Sequence, residues 1–175
     1  MLYLHYQQGI FCGIAGERMK RVFFYQTDIG DIGIAENGQA VTELYFGAAT
    51  VPPDAVQAQT ELLREAGRQL LEYLAGRRRQ FAVPLAPAGT AFRQRVWQAV
   101  GAIPYGQTLS YQEVAQRIGK PSAARAVGNA NRRNPLPVFI PCHRVIGAKG
   151  QLTGYLGGLD IKKYLLGLEK RHGVF

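Results

Sequence analysis

Apolar residues in the first part of the chain fall into short runs that are typical of strands. Three such runs, rich in β-branched and aromatic residues, cover positions 22–27, 32–35 and 41–46. Asn37-Gly38 separates the second run from the third, and this pair favours a tight hairpin turn. The pattern therefore predicts a small sheet that contains a hairpin.

A helical pattern follows the predicted sheet. Within positions 58–75, apolar residues recur at three- and four-residue spacing, and Gly76 is placed to end the helix. Prolines then recur in positions 81–88, which we expect to be extended. We therefore predict a small α/β domain over residues 19–83, which carries no catalytic constellation, and a linker over residues 84–89.

The rest of the chain, residues 90–175, has a mostly helical pattern. Thr90 is placed to cap a first helix, and Ser110 begins a capping box with Glu113. A glycine-containing turn follows, and Ser122 is expected to cap a second, alanine-rich helix. Helix, short turn and helix form a helix-turn-helix arrangement, which many proteins share, so that alone it is weak evidence for DNA binding.

The composition of the 175-residue chain is that of a soluble globular protein, with 47% hydrophobic and 19% charged residues. No apolar stretch approaches the length of a bilayer-spanning helix. The N-terminus has neither a basic region nor a sustained apolar region, so we expect no export signal and a cytoplasmic location. Two distant cysteines give neither a disulfide framework nor a zinc-binding spacing.

The net charge of +9 is concentrated in one region. Positions 89–150 hold nine Lys or Arg residues but a single acidic residue, Glu113. A patch of this sign is expected where a protein contacts the phosphates of a nucleic acid. A merely basic surface would have the same composition, and charge alone does not distinguish the two.

The strongest chemical signal lies in residues 134–145, Asn-Pro-Leu-Pro-Val-Phe-Ile-Pro-Cys-His-Arg-Val. Three prolines restrict the backbone of an apolar segment that delivers Cys142, followed by His143 and Arg144. A cysteine is nucleophilic only as its thiolate, and we expect His143 or Arg144 to lower the thiol pKa. The alternative is that Cys142 is a buried small hydrophobic residue.

This segment resembles the active-site signature of the 6-O-alkylguanine-DNA alkyltransferases, also called methylated-DNA–protein-cysteine methyltransferases. The resemblance is strong over residues 89–170 and looser over residues 19–88. Further shared motifs, in the same order and spacing, are Gly-Thr-Ala-Phe at 89–92, Val-Trp at 96–97, Ile-Pro-Tyr-Gly at 103–106, Ser-Tyr at 110–111, Ala-Arg-Ala-Val-Gly at 124–128 and Gly-Gly-Leu at 157–159.

The resemblance implies a fold and a reaction. The fold is an α/β N-terminal domain, ribonuclease-H-like with a small sheet and a helix, followed by a mostly α, winged helix-turn-helix-like C-terminal domain. The reaction is irreversible, single-turnover transfer of an alkyl group from the 6-oxygen of guanine in double-stranded DNA to the protein's own cysteine. The 4-oxygen of thymine is a further candidate. No cofactor, metal or obligate protein partner is implied, and we expect a monomer.

The resemblance also implies chemical roles for individual residues. Cys142 would attack the alkyl carbon, and His143 would take the thiol proton through a water. Glu169 would orient the imidazole of His143. Asn134 would pin the turn that carries the cysteine by hydrogen bonds to its backbone.

The implied DNA contacts lie mainly on the alanine-rich helix. Arg125 would fill the space left by a flipped nucleotide. Small neighbours would let the helix backbone approach the minor groove, namely Ala124, Ala126 and Gly128. Tyr111 would press on the adjacent phosphate and donate a hydrogen bond to the guanine ring. A surface arginine and a core tyrosine are the alternatives.

The pocket for the base would include Val145, Tyr155 and Leu156, with the loop of residues 153–158 closed over the guanine. Backbone carbonyls around Cys142 and Val145 would accept hydrogen bonds from the exocyclic amine. Leu156 departs from the family, in which this position usually holds a small residue. Its side chain would narrow the pocket or add apolar contact with the alkyl group.

Three rival functions explain parts of the same pattern. A cysteine hydrolase would need Cys, His and Glu, but no helix-turn-helix. An alkyltransferase-like lesion binder would have tryptophan in place of Cys142. A transcriptional regulator with a fused alkyltransferase domain would carry a cysteine-rich zinc module, and the sequence lacks those cysteines.

Residues 1–18 precede the part of the chain that resembles the family. We expect them to be an extension whose removal leaves folding and repair close to normal, and Met19 is a candidate for the natural start. Apolar residues at positions 2–6 leave an added strand as the alternative.

Overall fold

A computed structural model describes residues 20–173 of the chain. The predicted sheet is present: β1 (Arg21–Thr27), β2 (Gly30–Glu36) and β3 (Val41–Phe46) are antiparallel, and the short β4 (Val56–Gln57) pairs with β1 in parallel. The order across the sheet is β3-β2-β1-β4. The expectations for residues 1–18 lie outside the described residues.

The second hairpin is built by side-chain chemistry in its turn. The side-chain oxygen of Asn37 accepts hydrogen bonds from the backbone N–H groups of Gln39 and Ala40, each at 3.1 Å. Gly38 has a φ of 89°, a left-handed conformation that glycine adopts without strain. The predicted Asn37-Gly38 turn is therefore confirmed.

Helix α1 (Glu61–Leu74) packs against the sheet and confirms the helix predicted within residues 58–75. The Thr60 side chain caps it by accepting a hydrogen bond from the Leu63 N–H at 3.2 Å. Gly67 permits a close approach to β1, because a Cβ atom there would lie only 2.1 Å from the Tyr25 ring. Helix α1 therefore packs directly against β1.

Residues 81–88 are extended, as predicted, and they lie along the edge of the sheet. The N–H of Val41 donates to the Pro84 carbonyl, and the N–H of Ala86 donates to the Val41 carbonyl, both at 2.9 Å. The N–H of Leu44, also in β3, donates to the Pro135 carbonyl at 2.8 Å. Both halves of the chain are therefore attached to β3, and the exact domain boundaries stay a prediction.

Three helices form the centre of the second half: α2 (Ala91–Gly101), α3 (Tyr111–Arg117) and α4 (Ala124–Arg132). The indole N–H of Trp97 donates to the Ala130 carbonyl at 2.9 Å, which joins α2 to α4. Within residues 20–173, no helix is long and apolar enough to cross a membrane.

The helix caps agree with the sequence at two of three positions. Thr90 caps α2, and Ser110 forms a complete capping box with Glu113 at the start of α3. The cap predicted at Ser122 is wrong: residues Pro121–Ala123 form a 3-10 turn, and α4 begins without a side-chain cap. The 3-10 turn leads the chain directly into α4. Ser122 therefore lies inside the turn and not at the boundary of the helix.

Two further elements complete the fold. A pair of short parallel strands, β5 (Leu109–Ser110) and β6 (Val145–Ile146), joins the start of α3 to the end of the cysteine segment. Helix α5 (Leu159–His172) ends the described chain. Aromatic rings fill the junction between the two halves, with centroid distances of 5.2 Å for Tyr73–Phe81 and 4.6 Å for Phe81–Phe139.

Candidate active site

The segment that carries Cys142 is held by hydrogen bonds to its own backbone. The side-chain amide of Asn134 donates to the Ile140 carbonyl at 2.9 Å, and its oxygen accepts from the Leu136 N–H at 3.0 Å. Val138, between these anchors, has a φ of 73°, a strained conformation for a β-branched residue. Asn134 thus closes this turn by hydrogen bonds to its backbone, as the family resemblance implies.

Cys142 is almost completely buried, with 3% of its surface exposed. Burial raises the pKa of its thiol from the usual 9.0 to about 11, although the Asn134 side chain and the charge of Lys162 oppose the rise. The expectation that neighbouring His143 or Arg144 lowers the thiol pKa is therefore wrong for the protein without DNA. The sulfur is a neutral thiol at pH 7 and needs a base before it can attack.

His143 is fully buried, and its Nε2 atom lies 2.9 Å from Glu169 Oε1. Burial lowers the pKa of His143, and Glu169 opposes this shift, so the ring is neutral at pH 7. The other ring nitrogen, Nδ1, is buried and has no hydrogen-bond partner within residues 20–173. A neutral imidazole with one unengaged nitrogen can accept a proton.

Glu169 accepts hydrogen bonds from several parts of the fold. Arg144 binds it through Nε at 3.0 Å and Nη2 at 2.8 Å, and the backbone N–H of Gly106 donates at 2.8 Å. Burial alone would raise the pKa of Glu169, but its hydrogen bonds to His143 and Arg144 and the charge beside it hold the pKa at about 2. Arg144 therefore neutralises a carboxylate instead of facing the thiol.

Two buried residues at the site were missed by the sequence analysis. Tyr73, in the last turn of α1, donates its hydroxyl to Glu169 Oε1 at 2.5 Å. Lys162 donates to the carbonyls of Val145 at 2.7 Å and Thr153 at 2.9 Å. The signal for Lys162 was its spacing of seven residues from Glu169, which places both on one face of α5.

Tyr111 connects α3 to the loop of residues 153–158. It directly follows Ser110, which pairs with Ile146 across β5 and β6. Its hydroxyl lies 2.9 Å from the hydroxyl of Thr153, and the ring is only partly buried. The structure thus brings Tyr111 to the same side of the fold as the end of the cysteine segment.

The loop of residues 153–158 packs on the first domain. The Tyr155 ring meets the Phe46 ring edge-on at 5.9 Å, and a Cβ atom on Gly157 would come within 2.9 Å of that same ring. Leu156 is 57% exposed and lines a cavity of about 350 Å³ that β3 also borders. The Val145 carbonyl, expected to bind guanine, already accepts a hydrogen bond from Lys162.

Helix α4 carries the proposed DNA contacts on its outer side. Arg125 and Ala126 are exposed, while Ala124 and Gly128 are half-buried, Gly128 beside the Tyr111 ring. Arg125 makes no hydrogen bond to the Cys142 site within residues 20–173. Of the nine basic residues at positions 89–150, Arg144 is buried against Glu169, and the other eight are at least partly exposed.

Comparisons with known sequences agree on one family. Residues 21–87 match the family model described as the ribonuclease-like domain of 6-O-methylguanine DNA methyltransferase, and residues 91–171 match the model described as its DNA binding domain. A methylated-DNA–protein-cysteine methyltransferase from Methanosarcina acetivorans is 49% identical over 148 residues, covering 83% of this chain and 95% of the relative. A protein of the same name from Mycobacterium leprae is 51% identical over 144 residues, covering 81% and 87%.

Solved structures confirm the predicted fold class of a ribonuclease-like domain followed by a DNA-binding domain. The O6-methylguanine methyltransferase of Mycobacterium tuberculosis is similar with a TM-score of 0.82 and 44% identity, over 88% of this chain and 94% of that chain. A structure of OGT from the same organism in complex with DNA has the same TM-score and identity, over 87% and 94%.

Proposed function

The chain belongs to the 6-O-methylguanine DNA methyltransferase family, and from this premise we propose how its residues carry out the reaction. The protein repairs DNA directly, by irreversible transfer of an alkyl group from the 6-oxygen of guanine to its own cysteine, so that each molecule acts once. The observation that carries the residue assignment is the buried thiol of Cys142 next to the hydrogen-bonded pair of His143 and Glu169.

Cys142 is the alkyl acceptor in this proposal. Its Sγ attacks the alkyl carbon, an S–C bond forms as the C–O bond breaks, and guanine is left in its normal form. The thiol proton passes through a water to Nδ1 of His143, while Nε2 stays bonded to Glu169. The buried and unengaged Nδ1 supports this route, and a thioether does not hydrolyse in the cell.

The proposal is tested by intact mass spectrometry after incubation with duplex DNA containing 6-O-methylguanine. We expect the protein to gain one methylene, localised to Cys142 by peptide mapping, at no more than one equivalent per molecule. Unmodified DNA of the same sequence is the control. Modification at another residue would contradict the assignment, and repeated turnover of ester substrates would favour the cysteine hydrolase.

Tyr111, Asn134 and the pocket residues act on the bound base in this proposal. Tyr111 donates to the guanine ring as the leaving group gains negative charge, and its link to Thr153 supports a place beside the loop. Asn134 keeps the Cys142 turn in position. Val145 and Tyr155 contribute to the pocket walls.

DNA is the partner of this protein, and α4 is the element that we propose enters the minor groove. The exposed Arg125 would occupy the stack after the damaged nucleotide is flipped out. Ala124, Ala126 and Gly128 present little bulk around it. We further propose that the protein acts in the cytoplasm, as a monomer without an obligate protein partner. Sedimentation of the free and DNA-bound protein tests the monomeric state.

Arg125→Ala is expected to slow repair of duplex DNA by roughly 10- to 100-fold, because unstacking a base costs a few kcal/mol that the inserted side chain partly offsets. Reaction with the free modified base should stay close to the wild-type rate. Single-turnover rates on the two substrates check this. Arg132→Ala, which changes an exposed arginine of the same helix, is the matched control. Equal losses on both substrates would assign Arg125 to the pocket or the fold.

Leu156→Ala is expected to raise the ratio of benzyl to methyl transfer rates, with a change of about 1–3 kcal/mol in relative barrier and little effect on the methyl rate itself. The physical reason is removal of bulk from the loop of residues 153–158, which we propose closes over the guanine. Single-turnover rates with 6-O-benzylguanine and 6-O-methylguanine DNA measure the ratio. Leu159→Ala, at another exposed leucine, should leave it unchanged. An unchanged ratio in Leu156→Ala would place this side chain outside the pocket.

A further inference from the structure

Tyr73 carries a hydroxyl group from the first domain into the Cys142 site. The residue is fully buried in the last turn of α1. Its oxygen lies 2.5 Å from Glu169 Oε1 and 3.2 Å from His143 Nε2. Since Nε2 is itself 2.9 Å from the same Oε1, the three groups form a closed triangle that spans both domains.

Only one arrangement of protons satisfies this triangle. Glu169 is ionised at neutral pH and accepts hydrogen bonds only. The single hydroxyl hydrogen of Tyr73 is donated to Oε1, so the phenol oxygen meets Nε2 as an acceptor. Nε2 must then carry the hydrogen of the neutral imidazole, shared between Glu169 and Tyr73. Nδ1 is left unprotonated, and it is the nitrogen with no protein partner within the described residues.

We propose that Tyr73 is a positioning residue for alkyl transfer, because its hydroxyl contacts both Glu169 Oε1 and His143 Nε2 and holds the two groups in the orientation that leaves Nδ1 free to accept the thiol proton. The inference rests on the roles proposed above for Cys142 and His143. It assigns a residue of the ribonuclease-like domain a role in alkyl transfer. Among residues 20–83, Tyr73 alone hydrogen-bonds to a side chain of the Cys142, His143 and Glu169 group.

The surroundings of Tyr73 allow the hydroxyl to be removed by itself. The ring packs tilted on Phe81 at 5.2 Å and edge-on to Tyr105 at 5.9 Å, and phenylalanine keeps both contacts. Glu169 retains its donors from Arg144 and Gly106. Tyr73→Phe therefore leaves the ion pair and the packing in place while it removes one acceptor from Nε2 and one donor from Glu169.

The test compares Tyr73→Phe with the wild-type protein in two measurements. The single-turnover rate on duplex 6-O-methylguanine DNA is expected to fall about tenfold, the effect of one hydrogen bond to a charged group, with one methyl still added per molecule. The 15N chemical shift of His143 Nε2, measured without DNA, should move because one of its two acceptors is lost, while Glu169 keeps the ring in the Nε2–H tautomer. Phe81→Leu, which alters packing beside the same ring, should lower stability but leave the Nε2 shift unchanged.

An unchanged rate and an unchanged Nε2 shift in folded Tyr73→Phe would overturn the inference. If that variant does not fold, the inference is tested with 3-fluorotyrosine at position 73. This residue keeps the ring and makes the hydroxyl a better hydrogen-bond donor and a poorer acceptor. The 15N shift of Nε2 must then move, and a constant shift would overturn the inference. A wild-type protein that gains no methyl on Cys142 would instead overturn the proposed function, and the Nε2 shift measured without DNA still tests Tyr73 separately.

Discussion

Replacing Cys142 by serine is expected to abolish alkyl transfer, lowering the single-turnover rate by at least about three orders of magnitude. Serine fits the site, because it is slightly smaller than cysteine at a position that is 3% exposed. Its hydroxyl is a far poorer nucleophile, and His143 is not basic enough to ionise it. Binding to DNA with 6-O-methylguanine should be largely retained, since the DNA contacts proposed for α4 do not involve the sulfur. Rates and binding isotherms on the same oligonucleotide measure the two effects.

The chain offers a matched control for this substitution. Cys12 is the other cysteine in the sequence, and Cys12→Ser is expected to transfer methyl groups at the wild-type rate. Methylation that persists in Cys142→Ser would contradict the assignment of Cys142 as the alkyl acceptor. Loss of methylation in Cys12→Ser would instead indicate Cys12 as the acceptor. Loss of DNA binding in Cys142→Ser would show that the substitution disturbs more than the nucleophile.

The features predicted correctly are those that depend on neighbours in the sequence. The Asn37 turn, the Thr90 cap and the Ser110 capping box each form from a few consecutive residues. The hydrogen bonds of Asn134 to its own turn are equally local, but they were expected from the family resemblance. The cap predicted at Ser122 is wrong because the same local sequence can form either a helix cap or a 3-10 turn, and the structure has the 3-10 turn.

The electrostatics of the site depend on contacts that sequence proximity does not reveal. Arg144 is two residues from Cys142, yet it binds Glu169 of α5, and the thiol pKa rises through burial instead of falling. Tyr73 is 70 residues from His143 and reaches it only because α1 ends above the junction of the domains. No spacing rule within the chain identifies such a partner.

Glu169 is the group on which these long-range contacts converge. It is 1% exposed and accepts hydrogen bonds from Tyr73, Arg144 and the Gly106 backbone, as well as its contact with His143. Glutamine at this position would present an amide group to donors that need an acceptor. It would also leave the buried guanidinium of Arg144 without its counter-charge, which is more costly than the loss of the pair as a whole.

Glu169→Gln is therefore expected to lower the free energy of unfolding at pH 7 by about 3–5 kcal/mol and to slow alkyl transfer. The carboxyl pKa of about 2, against its usual 4.5, corresponds to about 3 kcal/mol by linkage. Because the pKa is lower in the folded protein, this stability is present above pH 4.5 and is lost as the pH falls towards 2. Urea unfolding between pH 7 and pH 3 should show that acid loss in the wild-type protein and a smaller one in the variant.

Glu113→Gln is the matched control, since it alters a carboxylate that is exposed and whose role in the capping box glutamine also fills. Its stability should stay within about 0.5 kcal/mol of wild type, and its alkyl transfer rate should not change. If Glu169→Gln were as stable as Glu113→Gln and as sensitive to acid as the wild type, Arg144 and His143 would not depend on the carboxylate. The buried ion pair would then contribute neither to folding nor to the position of the imidazole.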